Sequence, residues 1–84
     1  RYSELVVPWV VLYEYLFGHY YLGRDITKRK EAILQLAREV PLNQDILLIA
    51  LKIDAELTRE GIRVPFSDVI IAATAVYLGG EIVT

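Results

Sequence analysis

Two carboxylates stand apart from the other acids of this chain. Between Leu5 and Gly23, in the run LVVPWVVLYEYLFGHYYLG, Glu14 is the only formally charged residue. If the run is helical, Val10 and Val11 before Glu14 and Phe17 after it share its face, because residues three and four apart are neighbours on a helix. An ionised glutamate in such company is costly unless it is paired or binds a metal. Asp68 stands where a polar turn containing Pro65 and Ser67 meets an uncharged stretch that runs to Gly80. Each acid also has an ordinary reading. Glu14 can reach a rim or pair with an arginine, and an aspartate in a first helical turn is favoured by the helix dipole by about 0.3–1 kcal/mol. Taken together, two carboxylates from separate helices in apolar settings point to a hard divalent cation such as Mg²⁺, which prefers oxygen ligands and keeps several waters. A third or fourth acid is expected for a complete site.

The other reactive groups are less specific. His19 is a lone histidine with no cysteine, second histidine or Ser–Asp pattern around it, and it reads as a satisfied or surface residue. Arg24, Lys28, Arg29 and Lys30 form a small basic cluster that can touch phosphates, diluted by Asp25 and Glu31; a solvated helix start is the simpler reading. The tyrosines of VLYEYLFGHYYL can stack on bases, but at this density they read first as core and interface packing. Gly79-Gly80 follows a helix and precedes a strand, the reverse order of a phosphate loop.

The elements that must position these groups follow from pattern. Leu5-Val6-Val7 is a short strand candidate, and Pro8 suits the first turn of a helix over residues 9–22 that ends near Gly23. Apolar all round, that helix is expected to be a buried core helix. Its central Glu14, with Pro8, Gly18 and His19, makes it a poor membrane span, since a central carboxylate costs about 2.5–3.5 kcal/mol on insertion scales. Thr27 is a candidate N-cap for an amphipathic helix reaching about Glu39 and stopped before Pro41. Asn43 or Gln44 opens the clearest helix, with Ile46, Ile49, Ala50, Ile53 and Leu57 at three- and four-residue spacing and Gly61 as its stop. Ser67 can cap a last helix over 68–78, broken by Gly79-Gly80, and Ile82-Val83-Thr84 begins a strand. The order predicts an α/β domain, mostly helical, with a parallel sheet that is incomplete.

Bulk composition narrows the class. Eighty-four residues make one small domain. The 55% apolar share is high, so surface must be buried within the chain or against something else. A net charge of −2 gives no global attraction to nucleic acid or acidic membrane. The absence of cysteine rules out disulfides and thiolate metal sites and fits a reducing compartment; a cytoplasmic location is expected. With Arg1 first and no methionine anywhere, the sequence is expected to be a segment or a processed product.

The segment Glu56-Leu57, Glu60-Gly61, Pro65-Phe66-Ser67-Asp68-Val69-Ile70-Ile71-Ala72-Ala73-Thr74-Ala75 and Ile82-Val83-Thr84 resembles the C-terminal half of a PIN domain, the fold of VapC-like toxin ribonucleases. The family pattern there is a glycine, then DxxIAAtA, then a strand ending in threonine. Leu5-Val6-Val7 and Val10-Val11-Leu12-Tyr13-Glu14-Tyr15-Leu16 look like the strand and helix that carry the family's second acidic residue. The resemblance implies that Glu14 is the second and Asp68 the third acidic residue of a site holding Mg²⁺ or Mn²⁺. Thr84 would be the hydroxyl beside that site. It further implies a metal-dependent endoribonuclease, an RNA substrate and an antitoxin partner. The family's first acidic position would precede Arg1 and its fourth would follow Thr84. The match therefore implies a partial PIN-like domain over 1–84, one that is inactive as it stands.

A reading of another class remains open: a non-catalytic helical association module that oligomerises through its apolar surface. The apolar excess and unfinished strand edges support it. Under either reading a homo-oligomer is expected.

Overall fold

The computed structural model describes residues 5–79. Six elements follow in order: β1 (Val6–Pro8), α1 (Trp9–Tyr21), α2 (Thr27–Leu36), β2 (Arg38–Val40), α3 (Gln44–Arg59) and α4 (Phe66–Tyr77). The strands pair in parallel, Val6 opposite Arg38 and Pro8 opposite Val40. Neighbouring residues of a strand point to opposite faces. Val6 joins Val40, Ile46, Ala50, Val69, Ile70 and Ala73 in one cluster, and Val7 joins Leu12 and Ala37 in another. α3 and α4 thus pack on one face of the small sheet, α1 and α2 on the other. This is the mostly helical α/β arrangement anticipated from the order of elements.

Local chemistry explains most boundaries. Pro8 is extended (φ −64°, ψ 147°) and lacks an N–H, so it can end β1 and serve as the N-cap of α1. Gly23 adopts φ +79° just past α1, where its N–H donates to the Tyr20 carbonyl and that of Arg24 to His19. Asn43 caps α3, its Oδ1 accepting the Ile46 N–H at 2.8 Å. Gly61 closes α3 at φ +74°, a conformation that costs glycine little.

Four expectations need correction. The helix after residue 27 stops at Leu36, well before Glu39: Ala37 is extended and Arg38–Val40 forms β2. Parallel pairing to β1, begun by the Arg38 N–H donating to Leu5 O at 3.0 Å, satisfies backbone groups that a longer helix would have left orphaned on β1. Thr27 is the first helical residue and Ile26 the N-cap; Asp25 Oδ1 takes the Thr27 N–H at 3.0 Å. Ser67 is already inside α4, whose N-cap is Pro65, because proline's preset φ lets the helix begin at Phe66. Finally, α1 is not a buried core helix. Leu12 is its one buried residue, while Trp9, Tyr13, Tyr15, Phe17, Tyr20 and Tyr21 are exposed. β1, α2 and α4 cover only part of its circumference. The expected strand at 82–84 lies outside the described residues.

Candidate active site

Glu14 lies in the middle of α1 and is exposed, so the apolar sequence around it does not bury it. Val10, one turn earlier, packs on the cluster that contains Val69, Ile70 and Ala73 of α4. Asp68 is the third residue of α4, also exposed. Its backbone is held by the Asp68 N–H donating to Pro65 O at 3.0 Å, and the next residue, Val69, is buried in the core. A carboxylate in this first turn is stabilised by the partial positive charge of the helix start. The order turn–acid–buried valine therefore aims Asp68 outward and locks the helix behind it inward.

The structure thus mounts the two sequence-selected acids on α1 and α4, which pack directly on each other. Both side chains are open to solvent and neither has a hydrogen-bond or ion-pair partner among the described residues; the ion pair formed there is Arg59–Glu56, at 3.1 Å. No group of three or more His, Asp or Glu side chains that could hold a metal occurs among the described residues. Two carboxylates and water fit Mg²⁺ or Mn²⁺, which protein sites commonly bind through one or two carboxylates plus substrate phosphate. They do not fit a dedicated all-protein cage. Thr84 lies outside the described residues.

Two features of α1 were not legible as sites. The first is an aromatic row, Trp9–Tyr13–Phe17–Tyr21, with successive rings stacked at 5.4, 6.1 and 6.0 Å. Helical four-residue spacing produces the row, but only the three-dimensional packing shows that nothing described here covers it. Beside it runs an apolar groove of about 530 Å³, lined by Trp9, Leu12, Tyr13, Leu16, Phe17, Tyr20 and Ile26. Lacking any acid or base, the groove can bind apolar surface but not hydrolyse a substrate.

The second feature joins His19 to the basic cluster. Arg24 Nη1 donates to His19 Nδ1 at 3.0 Å, and Tyr15 meets the same ring edge-on at 4.9 Å. Partial burial of the ring, then the charges of Arg29 and Arg24, lower the His19 pKa below the usual histidine value. An imidazole that accepts at Nδ1 is neutral and presents Nε2–H as its donor.

Among the described residues no helix is long and apolar enough to cross a membrane. The PIN domain family model matches residues 1–84. Over 75 residues the chain is 35% identical to a VapC ribonuclease of Pyrococcus furiosus, an alignment covering 89% of this chain and 50% of that protein. The chain spans about half the length of this curated relative. Together with the parallel strands, the flanking helices and the outward acids on α1 and α4, the match leads to one assignment: the chain belongs to the PIN-domain family.

Proposed function

We propose that this chain is part of a metal-dependent endoribonuclease, the toxin of a toxin–antitoxin pair, acting in the cytoplasm on RNA. Residues 1–84 form a partial PIN-like domain in this reading. The observation that carries it is the pair of solvent-open carboxylates, Glu14 and Asp68, on the two packed helices α1 and α4. They would hold Mg²⁺ or Mn²⁺, which when bound neutralises charge on the scissile phosphate and lowers the pKa of a bound water. The protein's own contribution is placement. The core seats Val10 and Val69 beside the two acids and so sets the backbone from which each carboxylate reaches. Both acids are exposed among the described residues, so an RNA backbone can reach them. Thr84 belongs beside this site by the family resemblance alone.

The relative is a VapC ribonuclease, and this name supports both the reaction class and an antitoxin partner for this chain. In the full-length protein, Glu14→Gln and Asp68→Asn should each abolish RNA cleavage. Both positions are exposed, so folding stability should change by no more than about 0.5–1 kcal/mol. Unimpaired cleavage by either variant overturns the assignment.

A second reading, a helical association module forming homo-oligomers, is favoured by a separate observation: the uncovered aromatic row of α1. It is compatible with the first, since an enzyme can also self-associate, and here Phe17 of the row lies one turn from Glu14 on α1.

A further inference from the structure

We propose that Arg24 and Arg29, with His19 and Tyr15, form a binding site for one nucleotide of single-stranded RNA, the guanidinium groups taking a backbone phosphate and Tyr15 the base. The choice of RNA rests on the ribonuclease reading; the site itself rests on geometry. Arg24, from the loop after α1, contacts His19 of α1 directly, and Arg29, from the first turn of α2, is near enough for its charge to act on the same imidazole. Neither arginine has a carboxylate partner among the described residues. Arg29 Nε is shut off from solvent with no acceptor. An unpartnered buried donor of this kind is unfavourable, and an anion that draws the side chain onto itself relieves it.

Nearby acids dilute the cluster without cancelling it, since Asp25 and Glu31 stand against Arg24, Lys28, Arg29 and Lys30; Asp25 Oδ1 accepts the Thr27 N–H. Glu31 is two residues from Arg29 on α2, and residues so spaced do not face each other. Lys28 and Lys30 flank Arg29, so three cations occupy the opening turn of a helix whose own dipole disfavours them there. A segment that breaks a local rule in this way is where function is expected. Arginine pairs with phosphate oxygens through a planar fork of donors, and His19 Nε2–H adds a neutral donor. Tyr15, exposed and T-shaped against His19, offers an aromatic face on which a base can stack. His19 falls on the opposite side of α1 from Glu14, as five residues of helix dictate. The site therefore holds RNA away from the acids rather than at them.

His19 is the single histidine of these 84 residues, and comparison with a His19→Gln variant picks out its imidazole resonances in the full-length protein. The experiment uses full-length protein carrying Glu14→Gln in buffer with a metal chelator, and RNA integrity is checked on a gel before and after. A short single-stranded oligoribonucleotide should shift the His19 signals and raise the His19 pKa toward the ordinary value, because a phosphate offsets the charges of Arg24 and Arg29. Arg24→Gln, at an exposed position, should weaken binding about tenfold and lower the salt dependence by about one phosphate contact. Arg29→Lys keeps the charge but loses the fork, and should also weaken binding. Tyr15→Ala should weaken RNA binding while leaving the response to inorganic phosphate intact. RNA binding that leaves His19 unmoved, or that Arg24→Gln and Arg29→Lys leave unchanged, overturns the proposal. So does a His19 response to inorganic phosphate with none to RNA. Full-length wild-type protein that cleaves no RNA would sink the nuclease reading while leaving these binding results standing.

Discussion

Ile46→Ala tests the packing that seats Asp68. Ile46 is 1% exposed and shares a core cluster with Val69, the residue after Asp68, and with Ile70 and Ala73 of α4. Truncation removes about three carbon groups, worth roughly 0.8 kcal/mol each in transfer alone. A rigid site adds a cavity term, which brings the expected loss to about 2.5–4 kcal/mol, within the range for such substitutions. A folded unit of 84 residues has a total stability of about 4–12 kcal/mol, so the loss takes from about a fifth of that stability to all of it. Its melting temperature should fall by about 10–30 °C. The N-cap survives, since it uses the backbone N–H of Ile46 and not its side chain. Leu51→Ala on the same helix is the control: at 57% exposure it should cost about 1 kcal/mol or less. Urea unfolding followed by far-UV circular dichroism gives both numbers, and an unchanged denaturant slope confirms that the same transition is compared. If Ile46→Ala costs no more than Leu51→Ala, α3 does not support α4 as described, and the placement of Asp68 loses its structural basis.

Asn43→Ala removes the acceptor for the Ile46 N–H and should destabilise the fold by about 1 kcal/mol; Asn43→Asp should retain most of the stability, and equal losses in both would show that the cap is not the cause. For the aromatic row, sedimentation of the wild-type protein should give a homo-oligomer that Tyr13→Glu with Phe17→Glu converts to monomer. Both side chains are exposed, so the double variant should keep its helical spectrum. A wild-type monomer at all concentrations refutes self-association through this face.

How much of this was readable without coordinates depended on where the deciding interaction lies. The α3 pattern was legible because Asn43, the repeated isoleucines and Gly61 all act within a few residues of one another, and helix caps and stops are local chemistry. The end of α2 was not, because residues 37–40 follow a pairing partner some thirty residues earlier in β1, and nothing local marks that register. Glu14 failed differently. Its apolar neighbours suggested burial, yet composition along a helix says how much surface wants covering, not which side is covered. In the structure α1 buries Leu12 and leaves the aromatic row and Glu14 in solvent, which alters the chemistry assigned to the acid. A buried glutamate would need a partner inside the protein, whereas an exposed one is open to a metal ion and a phosphate together. The exposure removes burial as an argument for a metal at Glu14 and leaves the family resemblance and the packing of α1 on α4 as its support. Around α1 the structure sets out three surfaces: Glu14, the His19 cluster on the far side, and the aromatic row.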